Sequence, residues 1–284
     1  MSAEPSPWAR AAIGHVSRRA TGGPLDRSLR ITFNFHPDRV RAGGGGGPTV
    51  LQELAVAGTY RSQFETGTSN GGLTAHPTGD RWRWESRIFA GAYDDAPPAQ
   101  RPRYGALDHR RRALGGAPRF GSCHLRLAEH VLDRSTFCFP DSVFEPTDLA
   151  TADRCDLVRL AEAAGADVLD DYVEAHVHGA VDLSTDVEAL VLDPSFRHTP
   201  IDDHASRLGV PVEWHEGRRL DVPTLERHPG FRGPEIVEVG RSVAEDGVLD
   251  AAVIGRALLL DRHDPQDLKK VWHHVARFGS PWHC

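Results

Sequence analysis

The residues best suited to chemistry are concentrated in Tyr172–Gly179, read YVEAHVHG. Side chains alternate across a strand, so Val173, Ala175 and Val177 take one face, and Tyr172, Glu174, His176 and His178 take the other. A carboxylate and two imidazoles on one face supply a charge for a developing cation, groups that carry protons, or donors for a metal ion. The bland alternative is an edge strand with its polar side turned to water, where Thr, Lys or Arg would serve as well. A second segment, NFHPDR, places His36 at the end of a strand with Asp38 and Arg39 beside it. A third, YRSQFETGTSNGG, alternates Ser62, Phe64 and Thr66 with Arg61, Gln63 and Glu65, which predicts a strand. The Gly, hydroxyl and amide residues after it form a loop whose backbone N–H groups can approach a ligand, or a plain hydrophilic turn.

These segments need a scaffold, and the sequence reads as α+β. A helix is predicted over Pro7–Ala20. Ile31, Phe33 and Phe35 alternate with Thr32, Asn34 and His36, a strand with one buried face that Pro37 ends. Gly43–Gly47 is a flexible run, followed by a short helix with Thr49 and Gln52 at capping-box spacing. Arg81–Tyr93 reads as a helix carrying Trp82, Trp84 and Phe89. RFGSCHLRLA and STFCFPD read as strands, and Asp153–Ala164 as an amphipathic helix. DDYVEAHVHG and DVEALVLDPSF read as strands separated by a short turn. A helix near Pro200–Leu208 and the strand VPVEWHEG complete a mixed sheet, and helices dominate from Asp221 onward. The division expected is an N-terminal helical arm (1–28), a mixed catalytic domain (29–220) and a helical C-terminal segment (221–284). His273 and His274 read as solvated helical histidines.

Composition narrows the class of function. The net charge of −7 over 284 residues argues against general nucleic-acid binding, which needs clustered positive charge. Arg101, Arg103, His109, Arg110, Arg111, Arg112 and Arg119 are a local exception, read first as a solvated loop and second as a dock for an anionic target. Cys123, Cys138, Cys155 and Cys284 show no ligand spacing. No leader pattern and no apolar run near the ~18 residues of a membrane span are present. A reducing cytoplasm with no membrane partner is the expectation. P-loop, dinucleotide-fingerprint and nucleophile-elbow motifs do not occur.

Taken together, RITFNFHPDR, YRSQFETGTSNGG, RFGSCHLRL and YVEAHVHG resemble a bacterial family, domain of unknown function 3626, over roughly residues 28–280. The order of parts also resembles the ADP-ribosyltransferase fold: an early strand with His or Arg, a strand with Ser, Thr or Tyr, and a late strand with Glu. That resemblance implies a split mixed sheet with flanking helices and NAD as co-substrate. It implies Glu174 and His36 as catalytic residues. It implies Arg39, Tyr60, Ser62, Gln63, Thr66, Ser69, Asn70, Tyr104 and His176 as residues that bind the dinucleotide, with Tyr60, Tyr93 or Tyr104 stacking on nicotinamide. The sequence departs from the arginine-modifying pattern of two glutamates, because the second position is His176; Glu174 then acts as the lone carboxylate. Breaking the nicotinamide–ribose bond builds an oxocarbenium-like cation, which a carboxylate stabilises.

Two other classes compete with NAD-consuming ADP-ribosyl transfer or NAD hydrolysis. One is a metal enzyme using Glu174, His176 and His178. Three such positions span about 13 Å along a strand, so all three rarely reach one ion, and no bound metal is expected. The other is a non-catalytic ligand-binding module. The acceptor of ADP-ribose, whether protein, nucleic acid or small molecule, is not encoded in any motif.

Overall fold

A computed structural model describes residues 5–40, 47–67 and 73–282. Its strands are β1 (Ile31–Phe35), β2 (Thr59–Tyr60), β3 (Arg103–Leu107), β4 (Cys123–Leu127), β5 (Ser135–Cys138), β6 (Leu149–Thr151), β7 (Val173–Val177), β8 (Val181–Asp182), β9 (Val187–Leu192), β10 (Val212–Trp214), β11 (Leu220–Asp221) and β12 (Val248–Leu249). Its helices are α1 (Pro7–Arg19), α2 (Val50–Ala57), α3 (Gln63–Thr66), α4 (Asp80–Ile88), α5 (Leu157–Ala164), α6 (Leu183–Asp186), α7 (Pro200–Ala205), α8 (Val222–Glu226), α9 (Pro234–Val243), α10 (Ala251–Leu259) and α11 (Pro265–Phe278). The fold is α+β, with an eight-stranded mixed sheet ordered β10-β9-β4-β1-β3-β7-β5-β6. No helix among the described residues is long and apolar enough to cross a membrane.

The chain divides into two compact units. The first comprises Met1–Phe33, Gly58–Ala117 and Leu125–Glu188; the second comprises Asn34–Ala57, Pro118–His124 and Ala189–Cys284. In the first unit, antiparallel pairing sets which side chains meet. β7 lies between β3 and β5, with Tyr104 and Thr136 opposite His176, and Ala106 and Cys138 opposite Glu174. On the other face Ala175 lies between Gly105 and Phe137. Gly105 is required there, because a Cβ would sit 2.3 Å from Cδ1 of the fully buried Phe33. Helix α1 starts at an Ser6 cap with Pro7 inside the first turn and buries Ala9, Ala12 and Val16. Helix α4 buries Arg81, Trp84, Glu85 and Ile88, positions that share one stripe at helical spacing.

Several sequence expectations change here. TYRSQFET is a strand only at Thr59–Tyr60. Ser62 and Glu65 form a capping box, Ser62 Oγ accepting from Glu65 N–H and Glu65 Oε2 from Ser62 N–H, so the residues from Gln63 to Thr66 coil into α3. Ser62, Gln63 and Thr66 therefore do not alternate along a strand. The arginine-rich stretch is not a solvated loop: it contains β3, and Arg101 and Arg103 are 3% and 4% exposed. Arg110 and Arg112 pair with the buried Asp171, while Arg111 pairs with Asp26 at the surface. All five residues of β1 are buried, so it has no polar outer face. The link from β7 to β9 contains β8 and α6 rather than a short turn.

In the second unit β10 runs parallel to β9, with Val212, Glu213 and Trp214 beside Leu190, Val191 and Leu192. Helices α8 and α11 begin at aspartate caps, Asp221 and Asp264, each with proline in the first turn. Gly121 packs against the backbone of Phe35, leaving 2.2 Å for a Cβ. Trp272 is fully buried, and its Nε1–H donates to the carbonyl of Pro118 at 2.8 Å. His273 and His274 are 4% and 0% exposed, which corrects their reading as solvated. The ring nitrogens of His274 have no hydrogen-bond partner, and its ring meets Phe231 edge-on at 5.0 Å. Burial depresses His273 and His274 to about 3 and about 4.

Both rings are thus neutral when folded but charge near 6.5 when unfolded. Their contribution to stability is complete above 6.5 and is lost as pH falls from there toward the folded values, at up to about 1.4 kcal/mol per pH unit for each ring. His274→Phe keeps the aromatic packing and removes one titration. Thermal unfolding between pH 7 and 5 should show a smaller loss of melting temperature for the variant; equal losses would contradict the assignment.

Candidate functional site

The polar face of β7 is interior. β7 is flanked on both sides by strands, which excludes an edge strand turned to water. Glu174, His176 and His178 are 5%, 0% and 1% exposed. Register extends this face to Tyr104 on β3 and to Thr136 and Cys138 on β5. Helix α4 and the residues after it supply the cover. Trp84 and Phe89 approach the His176 ring at 6.5 and 5.6 Å, and Tyr93 stacks on His178 at 5.8 Å with the planes 6° apart.

Glu174 anchors the cluster. Its Oε2 accepts from Ser142 Oγ at 2.9 Å and from Ser142 N–H at 3.3 Å. Its Oε1 lies 3.1 Å from His176 Nε2 and 3.7 Å from Arg81 Nη1. Burial alone pushes the Glu174 carboxyl up, but hydrogen bonds from His176 and Ser142 and the charge of Arg81 outweigh it and hold the group below the usual range. Arg81 also donates to Ser142 Oγ at 2.9 Å and lies 3.9 Å over the Tyr104 ring. Tyr104 donates to Glu85 Oε1 at 2.9 Å, and Arg101 to Glu85 Oε2 at 2.6 Å. Burial pushes Glu85 up to about 7 despite Arg101. Two carboxyl groups of one cluster are therefore driven in opposite directions, the pattern that separates acid from base in catalytic sites.

Beyond His176 the hydrogen bonds run on: His176 Nδ1 to Thr136 Oγ1 at 3.1 Å, Thr136 Oγ1 to His178 Nε2 at 2.9 Å, and His178 Nδ1 to Tyr93 OH at 2.7 Å. A carboxylate only accepts, so His176 donates from Nε2. The Thr136 hydroxyl links the two rings, and with a single proton it can donate to only one of them. Burial keeps His178 neutral, well below 6.5. Cys138 Sγ lies 3.8 Å from His176 Nε2, and burial raises its thiol well above the usual range, so it is not an activated nucleophile. Arg81 Nε and Trp84 Nε1 are buried without a hydrogen-bond partner.

The residues marked in the sequence fall into separate places. Tyr104 and His176 adjoin Glu174. Tyr60, Ser62 and Glu65 gather with Arg103, which donates to the carbonyls of Tyr60 and Gly179 and pairs with Glu65 at 3.3 Å. Arg103 takes the face of β3 opposite to Tyr104. Gln63 Oε1 is buried without a partner, and Thr66 donates within α3. Ser69 and Asn70 lie outside the described residues. His36 and Arg39 belong to the second unit. There His36 Nδ1 is 3.3 Å from Ser122 Oγ, and His36 and Arg39 line a small pocket with Asp38, Gly255, Lys269 and Trp272. Burial pushes Asp38 up to about 7 and His36 well below 6.5.

Sequence reasoning missed Arg81, Glu85, Thr136, Cys138 and Ser142. The signal for the first two is legible: Arg81 and Glu85 share the helical stripe of Trp84 and Ile88, and charges on an apolar stripe need buried partners. Ser142 carries no such signal, because its contact is 32 residues away in the chain.

Arg81→Met should strand the Glu174 charge and destabilise the fold by about 3–5 kcal/mol. Arg81→Met with Glu174→Gln should recover a large part of that loss in denaturant titration. Additive losses would show that the two residues are not coupled.

No curated protein matches the sequence significantly. A family model described as "Protein of unknown function (DUF3626)" matches residues 30–163 and 154–278. Those matches span both compact units and every residue of the Glu174 cluster, and the chain belongs to this DUF3626 family.

Proposed function

We propose that the Glu174 cluster cleaves the nicotinamide–ribose bond of NAD and passes ADP-ribose to an acceptor or to water. The observation that carries this reading is a carboxylate fixed by Ser142, His176 and Arg81 inside an aromatic-walled interior. Such a charge is preorganised: it stabilises a cation without reorienting solvent at the moment of bond breaking. As the bond to nicotinamide breaks, its electron pair leaves with the neutral base and positive charge spreads over the ribose, which Glu174 faces. The attacking hydroxyl or water sheds one proton, which Glu174 accepts. Tyr104, in contact with Arg81 and 5.3 Å from the His176 ring, is the aromatic that stacks on nicotinamide. The buried, unpartnered Arg81 Nε is a donor for the carboxamide.

The reading carries with it the ADP-ribosyltransferase type of split sheet. Arg81, Tyr104, Ser142, Glu174 and His176 all belong to the first unit. Because Glu174 is 5% exposed, substrate entry requires the cover formed by α4 or the turn at Ser142 to move.

Purified protein incubated with NAD should release nicotinamide, measured by chromatography. Glu174→Gln is nearly isosteric and uncharged; it costs stability by leaving Arg81 without its counter-charge, and the variant, with folding confirmed by circular dichroism, should lose at least about 100-fold in rate. Full turnover by the folded variant would sink the assignment.

A further inference from the structure

We propose that Cys138, Glu174 and His176 form a binding site for a thiophilic divalent cation such as zinc, and that the bound ion shuts off the glycosidic chemistry by taking Glu174 as a ligand. The second half rests on the NAD reading; the first does not.

The donors converge because two strands supply them. Glu174 and His176 are successive positions on one face of β7, and Cys138 is directly opposite Glu174 on β5. A third position on the same strand would lie too far along it. His178, one residue past the end of β7, is engaged with Thr136 and Tyr93 instead. One ligand atom from each of Cys138, Glu174 and His176 lies within 4.8 Å of the others. His176 Nε2 is 3.1 Å from Glu174 Oε1 and 3.8 Å from Cys138 Sγ. Zinc bonds of roughly 2.0–2.3 Å in tetrahedral array separate neighbouring donors by roughly 3.3–3.6 Å, so adjustments of a few tenths of an ångström suffice for these two pairs.

The surroundings suit a metal-bound imidazole. With an ion on Nε2, the His176 proton moves to Nδ1 and is donated to Thr136 Oγ1, 3.1 Å away, which orients the ring, the usual outer-shell device. Arg81 now offsets Glu174; a dication would offset Glu174 and a Cys138 thiolate together, binding releases the thiol proton to solvent, and the one positive charge left over on Arg81 faces Asp141 and Glu85. Arg81 keeps its bond to Ser142 Oγ. A thiolate donor selects zinc or cobalt over magnesium and calcium. Three protein ligands leave a fourth position for water.

The test is a cobalt titration of the full chain after removal of metals with a chelator. The expected result is a cobalt–thiolate charge-transfer absorption that saturates at one ion per chain, is displaced by zinc, and persists in Cys155→Ser. It should vanish in Cys138→Ser and in His176→Ala, whose folding is checked by circular dichroism. A wild-type cobalt spectrum without a thiolate band, or a band that survives in folded Cys138→Ser, overturns the site. If Cys138→Ser does not fold, the wild-type spectrum together with His176→Ala decides. Zinc should suppress nicotinamide release by the wild-type chain, and a chelator should restore it. Zinc that binds at Cys138 without suppressing release overturns the inhibitory half. A metal-free chain that releases no nicotinamide overturns the NAD reading and the inhibitory half with it, while the cobalt spectrum still decides the site.

Discussion

The first unit is arranged around one buried negative charge. Taking a carboxylate from water into a protein interior costs several kcal/mol even after relaxation, and Glu174 is 5% exposed on a strand with neighbours on both sides. The compensation comes from three directions: Arg81 from α4, Ser142 from the turn after β5, and His176 from the same strand. Each compensating group needs its own support. Arg81 lies over Tyr104, Tyr104 donates to Glu85, and Glu85 pairs with Arg101. One charge therefore fixes the rotation of α4, the rotamer of Tyr104 on β3 and the position of the turn at residues 141–144.

Register makes this possible. Tyr104 and Thr136 flank His176, and Ala106 and Cys138 flank Glu174. A one-residue slip of β5 would exchange Thr136 for Phe137 beside His176 and turn the polar chain toward the apolar face. The small Ala106 beside Glu174 leaves room there, while the larger Tyr104 closes the face beside His176. Gly105 between them lets the Phe33 ring lie flush on the opposite face. The alternation of small, aromatic and polar residues along β3, β5 and β7 is thus one pattern read across three strands rather than three separate patterns.

This explains how much was legible in the sequence. The polar face of β7 follows from period-two alternation alone, and β4, β5, β9, β10 and most helices follow from local patterns. What failed was anything decided by a distant partner. Ser62–Thr66 alternates like a strand, yet the Ser62–Glu65 capping box wins because it satisfies both orphan N–H groups locally. Arg101 and Arg103 look solvated by composition, yet Glu85, Glu65 and backbone carbonyls pair with them inside. β3 was hidden for the same reason: a strand written RYGAL has arginine where an apolar residue was sought. Composition reports the residue, and only the fold reports its counter-charge.

Stability alone does not account for such an interior. Replacing a buried ion-pair network with well-packed apolar residues is often neutral or stabilising. The second unit shows what structural burial of imidazole looks like: His274 packs against Phe231 and Phe278, neutral and with neither ring nitrogen hydrogen-bonded. In the first unit, by contrast, both imidazoles are bonded at both nitrogens, in an unbroken run from Tyr93 through His178, Thr136 and His176 to Glu174. Hydrogen bonds in such a run polarise one another, so the state of the Glu174 carboxyl and the orientation of Thr136 on β5 and of Tyr93 beyond α4 are linked.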